Sequence, residues 1–235
     1  MATRPALPRV VPFGDAALLV EWAERPDLAA NARVHALAAA LWDDPPPGLL
    51  GVIPAYVSLL VEFDPLVTDV GALEERVRAA LAAPPPGTRS TGRLRRIPTI
   101  YGGDFGPDLA AVAAQVGLSS EEVVARHAAT EVTVYMIGFS PGYPYMGDLP
   151  AELDLPRRAT PRQRVPPGSV AIAYGQTSIY TRPTPGGWHL IGRTPRVLFD
   201  ETRDPPTYLA PGDRVRHVPI PPSDWDAHAG PAPDW

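Results

Sequence analysis

The sequence predicts an α+β protein in two parts: strand and helix alternate in the first third, and short strands follow one another through the last half. Three observations predict this. Early apolar residues switch between short runs and helical spacing. A Pro-, Gly- and Ser-rich stretch at 84–92, PPPGTRSTG, carries no apolar period and marks the best domain boundary, giving parts 1–90 and 91–235. Beyond Thr130, short apolar runs recur between Gly and Pro turns with no helical pattern among them.

Ala16 to Trp22 is a short apolar run and reads as a strand. Asp27 to Trp42 follows as a helix, with Leu28, Val34, Leu37, Ala38 and Leu41 on one face, and Pro45-Pro46-Pro47-Gly48 ends it. Val52 to Phe63 reads as one strand rich in Val, Leu, Tyr and Phe. Thr68 to Ala82 reads as a second helix on Val70, Leu73, Val77 and Leu81. Arg93 to Tyr101 is a further strand that suits either side of the boundary. Two strand–helix–strand passages fit a small sandwich of the ferredoxin-like kind.

After the boundary come two short helices, Pro107 to Gln115 and Ser120 to Ala128. Ser119 with Glu122 three positions on forms a capping box for the second. The strand series is Val132 to Ile137, Ser169 to Tyr174, Ser178 to Arg182, Trp188 to Arg193 and Arg214 to Val218, with the spacing of an all-β barrel or sandwich. The polar, Pro-rich tail from Pro221 to Trp235 is expected to lie over the surface or stay disordered.

Composition excludes whole chemistries. The 235 residues carry 26 acids against 21 bases, all of them Arg, for a net charge of -5, which argues against nucleic acid as a partner. With no Cys there is no disulfide, thiolate nucleophile or Cys-ligated metal. With no Lys there is no Schiff base and no P-loop. The N-terminal residues Met1 to Pro12 lack an apolar core and no run reaches the roughly 18 residues of a spanning helix, so no membrane is expected and the cytoplasm is the expected location. The 32 Pro and 20 Gly approach a disordered composition, but 45% hydrophobic and 20% charged residues are those of a globular chain, so the Pro reads as turn punctuation.

Three loops hold the candidate chemistry. Ile137 to Leu149 packs Phe139, Tyr143 and Tyr145 among Pro141, Gly142 and other turn residues, which suits a rigid wall for a small ligand or a turn with core aromatics. Arg157 and Arg162 each follow a Pro that fixes the backbone, and a guanidinium fork either receives carboxylate or phosphate from a ligand or forms a surface salt bridge. Gln176 and Tyr180 precede Gly186-Gly187-Trp188, where the Gly pair allows close approach or positive φ, and Arg193 follows. His35, His127, His189, His217 and His228 never fall at a metal-ligand spacing, so no metal is expected. Ser140 in Gly138-Phe139-Ser140-Pro141-Gly142 is a turn residue, because the following Pro removes the N–H that a nucleophile elbow uses.

At these loops the chain resembles the bacterial group formed by the B subunits of 5-oxoprolinase, which also includes the kinase inhibitor KipI and allophanate hydrolase subunit 1. The resemblance runs nearly end to end: Phe13 to Glu21, Pro54-Ala55-Tyr56, Tyr101-Gly102-Gly103, Gly138-Phe139 with Pro141 to Tyr145, Val165-Pro166 with Gly168-Ser169-Val170, Gln176-Thr177, and Pro185 to Trp188 through Gly192 to Pro195. Tyr143, Tyr174, Ser178 and Thr181 depart from the group's usual Phe, Gly, Gly and Pro.

The resemblance implies a ferredoxin-like domain followed by a cyclophilin-like β-barrel. It also implies an ATP-dependent 5-oxoprolinase, opening 5-oxoproline to glutamate together with two further proteins, a C subunit related to allophanate hydrolase subunit 2 and an A subunit. ATP, with Mg2+, would be shared with the partner. On that reading Arg157, Arg162 and Arg193 are the cations, and Phe139, Tyr143 and Trp188 the wall, with Pro141, Gly142, Gly186 and Gly187 shaping it. Gln176 and Tyr180 orient the amide and His127 transfers a proton. The alternatives are an inhibitor docking on a sensor histidine kinase, a component of an allophanate or urea pathway, and a free prolyl isomerase.

Overall fold

The computed structural model describes residues 7–82 and 92–235, so the expected boundary lies outside the described residues except for Gly92. The chain divides into two compact units, one up to residue 91 and one from Gly92 to Trp235, and together they form an α+β protein containing a closed barrel. Among the described residues, no helix is long and apolar enough to cross a membrane.

The first unit comprises β1 (Arg9–Pro12), β2 (Ala17–Glu21), α1 (Leu28–Asp43), β3 (Leu49–Pro54), β4 (Ser58–Phe63) and α2 (Val70–Ala82). Its four strands form an antiparallel sheet in the order β1-β2-β4-β3. Asp27 caps α1 by accepting from the Ala30 N–H at 2.7 Å. The sheet buries Leu18, Val20, Leu59, Val61 and Phe63 against Val34, Leu37 and Leu41 of α1 and Leu73 and Val77 of α2.

One expectation is corrected here. The single strand over Val52 to Phe63 is two strands joined by a turn at 55–57. Buried Asn31 of α1 reaches across to that turn and donates to the Ala55 and Tyr56 carbonyls at 3.3 and 2.9 Å. The turn is therefore fixed by a partner 24 residues away, and no local Gly or Asn signals it. The strand at Arg93 to Tyr101, open to either side in the sequence, does not join this sheet; β1, for which no strand was expected, takes the place beside β2.

The second unit runs β5 (Leu94–Tyr101), α3 (Leu109–Val116), α4 (Ser120–Ala129), β6 (Glu131–Ile137), β7 (Pro144–Gly147), β8 (Arg162–Val165), β9 (Ser169–Ala173), β10 (Gln176–Ile179), β11 (Thr184–Gly186), β12 (His189–Arg193), β13 (Arg196–Val197), β14 (Arg214–Pro219), α5 (Trp225–His228) and β15 (Gly230–Pro231). Seven strands close a barrel in the order β10-β7-β6-β14-β5-β12-β9, while β11 with β8 and β13 with β15 make side pairs. Ile97, Val132, Val134, Ile172, Ile191 and Val215 form its interior with Val112 of α3 and Val123 of α4. The Ser119 capping box starts α4 as the sequence indicates, with Glu122 N–H to Ser119 Oγ at 3.1 Å and Ser119 N–H to Glu122 Oε2 at 2.7 Å. The tail packs on the unit, with the Asp234 carboxylate taking Arg95 at 2.6 Å and the Tyr208 hydroxyl at 2.9 Å.

Candidate functional site

The β6–β7 hairpin carries the aromatic loop. Gly138 N–H donates to the Tyr143 carbonyl at 3.0 Å and Tyr143 N–H to the Ser140 carbonyl at 3.0 Å, closing a tight turn whose Gly142 has φ +73°. A side chain at Gly142 would place its Cβ 2.7 Å from Phe199 Cβ, so the glycine is required twice over. Phe139 sits at φ +63° and is 62% exposed. A left-handed backbone at a bulky residue costs energy, and here it aims a phenyl ring at solvent.

Beneath Phe139 lies a buried hub. The Tyr143 ring meets Phe139 at 5.2 Å, Tyr145 at 5.0 Å and Tyr180 at 5.1 Å, all edge-to-face. Trp188 closes the cluster at 6.1 Å from Tyr145. Burial pushes the phenols of Tyr143 and Tyr180 up, and for Tyr180 hydrogen bonds from Tyr143 and the Trp188 backbone oppose it. Gly186 exists for this hub, since a Cβ there would stand 2.2 Å from the Tyr180 hydroxyl. Gly187 faces no such constraint, its nearest neighbour being Pro161 at 3.7 Å. Neither member of the pair has positive φ, so close approach at Gly186 is the operative reason.

Of the expected wall, Tyr143 and Trp188 are buried, and Phe139 with Pro141 is exposed. Ser140 holds the turn through its backbone, and its buried hydroxyl has no hydrogen-bond partner among the described residues. Ser178 and Thr181, not anticipated as contributors, pin the loop by donating to the Pro144 and Pro141 carbonyls at 2.6 Å each. Their hydroxyls stand where the group's Gly and Pro have none, so the departures themselves were the signal.

The arginines divide by partner. Arg162 forks onto Asp108, its two terminal nitrogens each 2.8 Å from a carboxylate oxygen, and Arg158 adds a third bond at 2.8 Å. Asp108 is 4% exposed and also accepts from the Leu190 N–H at 2.7 Å. Burial alone would raise its carboxyl; the Arg162 and Leu190 hydrogen bonds and the charges of Arg162 and Arg158 outweigh that and hold it below the ordinary range. Arg162 is accordingly a structural brace and not a free receptor for substrate. Arg157 has no ion-pair partner among the described residues and lies 5.8 Å over the Tyr174 ring. Its charge acts on the Tyr145 and Tyr180 hydroxyls, placing it on the flank of the hub. The loop that carries Arg157 is fixed by His189 Nε2 to the Pro156 carbonyl at 2.9 Å and Arg158 N–H to the Gly187 carbonyl at 2.8 Å.

Tyr174 and Gly175, at φ +53° and +67°, make the two-residue turn between β9 and β10, and Gln176 begins β10 directly after it. His127 is placed elsewhere. The ring is 1% exposed inside the barrel, with Nδ1 2.8 Å from the Tyr101 hydroxyl on β5 and Nε2 2.9 Å from Thr177 Oγ1 on β10. Around the seven-stranded barrel β5 and β10 are as far apart as two strands can be, so the side chain of an α4 residue bridges opposite walls. Burial lowers its pKa to about 3. Both ring nitrogens of His127 are thus engaged, and the ring, set apart from the aromatic loop, is closed off from solvent.

Arg193, at the end of β12, faces a different opening. A cleft of about 190 Å³ is lined by Gly168, Tyr180, Thr181, Arg193, Arg196 and Trp225 among others, and it touches the aromatic hub only through Tyr180. Among the described residues no three His, Asp or Glu side chains converge as a metal site.

The second unit is thus a closed β-barrel that presents an exposed aromatic loop beside an Arg with no ion-pair partner among the described residues. Residues 8–209 match the carboxyltransferase domain, subdomain C and D. The chain is 39% identical to the 5-oxoprolinase B subunit of Bacillus subtilis, covering 92% of this chain and 94% of that one. It is 43% identical to the 5-oxoprolinase B subunit of Escherichia coli O157:H7, covering 88% and 94%. The crystal structure of TTHA0988 is similar with a TM-score of 0.78 and 40% identity over 87% of this chain, which spans only 40% of that longer chain. The chain belongs to the carboxyltransferase subdomain C and D family, among the B subunits of 5-oxoprolinase.

Proposed function

We propose that this chain is one component of an ATP-dependent 5-oxoprolinase, adding water across the lactam C–N bond of 5-oxoproline to give glutamate together with the A and C subunits. The relatives' shared name supports the class of complex. The observation that carries this chain's part is Phe139, held out in a left-handed turn over a buried hub, with unpaired Arg157 on its flank. An apolar face beside a free guanidinium suits a small ring that bears a carboxylate. We assign the first unit to the ferredoxin-like sandwiches, with the closing strand carried at the N-terminus as β1, and the second to cyclophilin-like barrels.

The described residues do not fit Mg2+-ATP on this chain alone. No acidic cluster converges, no Lys exists, and the cleft beside Arg193, about 190 Å³, is below the size of typical drug-sized ligand pockets. We propose that a partner holds the nucleotide and that this chain shapes the acceptor side. The test is glutamate formation from 5-oxoproline and ATP by the three purified proteins. Phe139→Ala and Arg157→Gln in this chain are each expected to lower turnover by roughly 10- to 100-fold, the size of one lost charge-assisted contact or apolar anchor. Inactivity of the intact mixture, or full activity of both variants, overturns the reading.

A further inference from the structure

We infer that the cleft between Arg193, Arg196 and Trp225 is a second binding site, separate from the aromatic loop, for a small carboxylate with an apolar body. Arg193 ends β12 and Arg196 begins β13, and the intervening Thr194-Pro195 turn brings both side chains to one opening. Each guanidinium is held by a neutral oxygen: Arg193 Nε donates to the Pro167 carbonyl at 2.9 Å and Arg196 donates from one terminal nitrogen to the Pro231 carbonyl at 3.3 Å. Carbonyls orient a cation without neutralising it. Among the described residues neither Arg has a carboxylate within 4.0 Å, although Asp224 and Asp226 flank Trp225 in sequence and the chain as a whole is acidic. In the same unit Arg95, Arg126, Arg158, Arg162, Arg182, Arg203, Arg214 and Arg216 have acidic partners, and the others without one among the described residues, Arg93, Arg96, Arg157 and Arg164, are exposed where Arg193 and Arg196 are half-buried. Two half-buried cations left unpaired at one opening call for an anion from outside.

The rest of the cleft limits what that anion is. Trp225 lies 5.3 Å from the Arg193 guanidinium and is itself steadied by Phe105 at 5.3 Å, so one face of the fork is already covered by a flat ring. That leaves its nitrogen edge for an oxyanion. Pro167, Pro195, Val197 and Leu198 supply apolar wall, which a bare phosphate would not use. At about 190 Å³ the space equals roughly six waters of liquid volume, room for a ligand on the order of six to ten non-hydrogen atoms. The two unpaired arginines call for this anion whatever the aromatic loop binds.

The full-length chain is titrated with glutarate, with its neutral diamide and with inorganic phosphate, followed by tryptophan fluorescence and by calorimetry. Glutarate is expected to bind saturably and at least tenfold more tightly than phosphate, while the diamide does not bind. Arg193→Gln and Arg196→Gln are each expected to weaken glutarate at least tenfold, whereas Arg33→Gln, an exposed cation on α1 in the other unit, leaves it unchanged. Trp225→Phe should remove the fluorescence response yet keep calorimetric binding within about threefold. Circular dichroism confirms that each variant is folded. Binding of the diamide, equal binding of phosphate and glutarate, unweakened Arg193→Gln, or no saturable binding overturns the site. All these outcomes are read on this chain alone, whether or not the three-protein mixture hydrolyses 5-oxoproline.

Discussion

Two aromatic residues, Phe139 and Tyr174, are the non-glycine residues with positive φ among those described, and both are exposed. At Tyr174 the strain follows from the turn. A two-residue hairpin with both φ positive is the type that selects Asn-Gly, and the chain supplies Tyr-Gly. A left-handed bulky residue costs about 1–2 kcal/mol, and the Arg157 contact at 5.8 Å returns only about 0.5 kcal/mol at an exposed site. Tyr174→Asn is therefore expected to stabilise the chain by about 0.5–1 kcal/mol, read as a higher urea midpoint with an unchanged m-value; an equal or lower midpoint shows that the ring is worth more than the strain. The sequence marked this position, because Tyr174 replaces a residue that is usually Gly in the group it resembles. At Phe139 the same conformation has a buried tyrosine hub built under it, and that supporting structure is what holds the strained residue in place.

At the scale of elements, α4 shows both what the sequence made legible and what it hid. Its start could be read from Ser119 and Glu122 because capping is local. The partners of His127 could not, because Tyr101 and Thr177 come from strands that meet only when the barrel closes. The same distinction explains the hidden turn at 55–57, held by Asn31, and the Arg162 brace on Asp108, which lies 54 positions away. Strand series, helix faces and the aromatic loop were legible because their signals are periodic or compositional. Beside His127, His217 stacks at 4.6 Å and places Nδ1 2.9 Å from Thr99 Oγ1. Thr99 donates its proton to the Ile97 carbonyl, so its oxygen receives the Nδ1–H of His217. The other nitrogen of His217 is buried without a partner among the described residues. Burial, with the neighbouring His127, lowers the pKa of His217 well below normal, and burial takes His127 to about 3. Both rings stay neutral in the fold and become charged on unfolding, so stability is full above the unfolded pKa near 6.5 and falls as the pH drops toward 3. Each ring contributes about 1.4 kcal/mol per pH unit in that window. Urea midpoints measured between about pH 7 and about pH 5 should fall accordingly, and His127→Gln should flatten the slope by about 1.4 kcal/mol per unit. An unchanged slope in the variant means the ring already binds its proton in the folded state.

For the whole molecule, each unit carries a buried apolar cluster of its own. Leu59, Val61 and Leu73 belong to one buried cluster and Ile172, Ile191 and Val215 to another, and no residue is shared between them. Each cluster is enclosed by its own hydrogen-bonded sheet, open in the first unit and closed in the second. Sites with no common packing partner add independently, whereas a cavity weakens the residues that line it. Leu59 is fully buried on β4, at the centre of the first sheet, so Leu59→Ala is expected to cost about 2–5 kcal/mol in that unit. Hydrogen exchange of the intact chain resolves the outcome by position. Amides of β2 and β4 should lose protection by a factor matching that energy, while those of β9 and β14 keep theirs. Equal loss in the barrel strands would mean that the units unfold as one cooperative body despite their separate cores. Retention there would leave the barrel, with its aromatic loop and arginine cleft, as a scaffold whose stability does not depend on the sheet that precedes it.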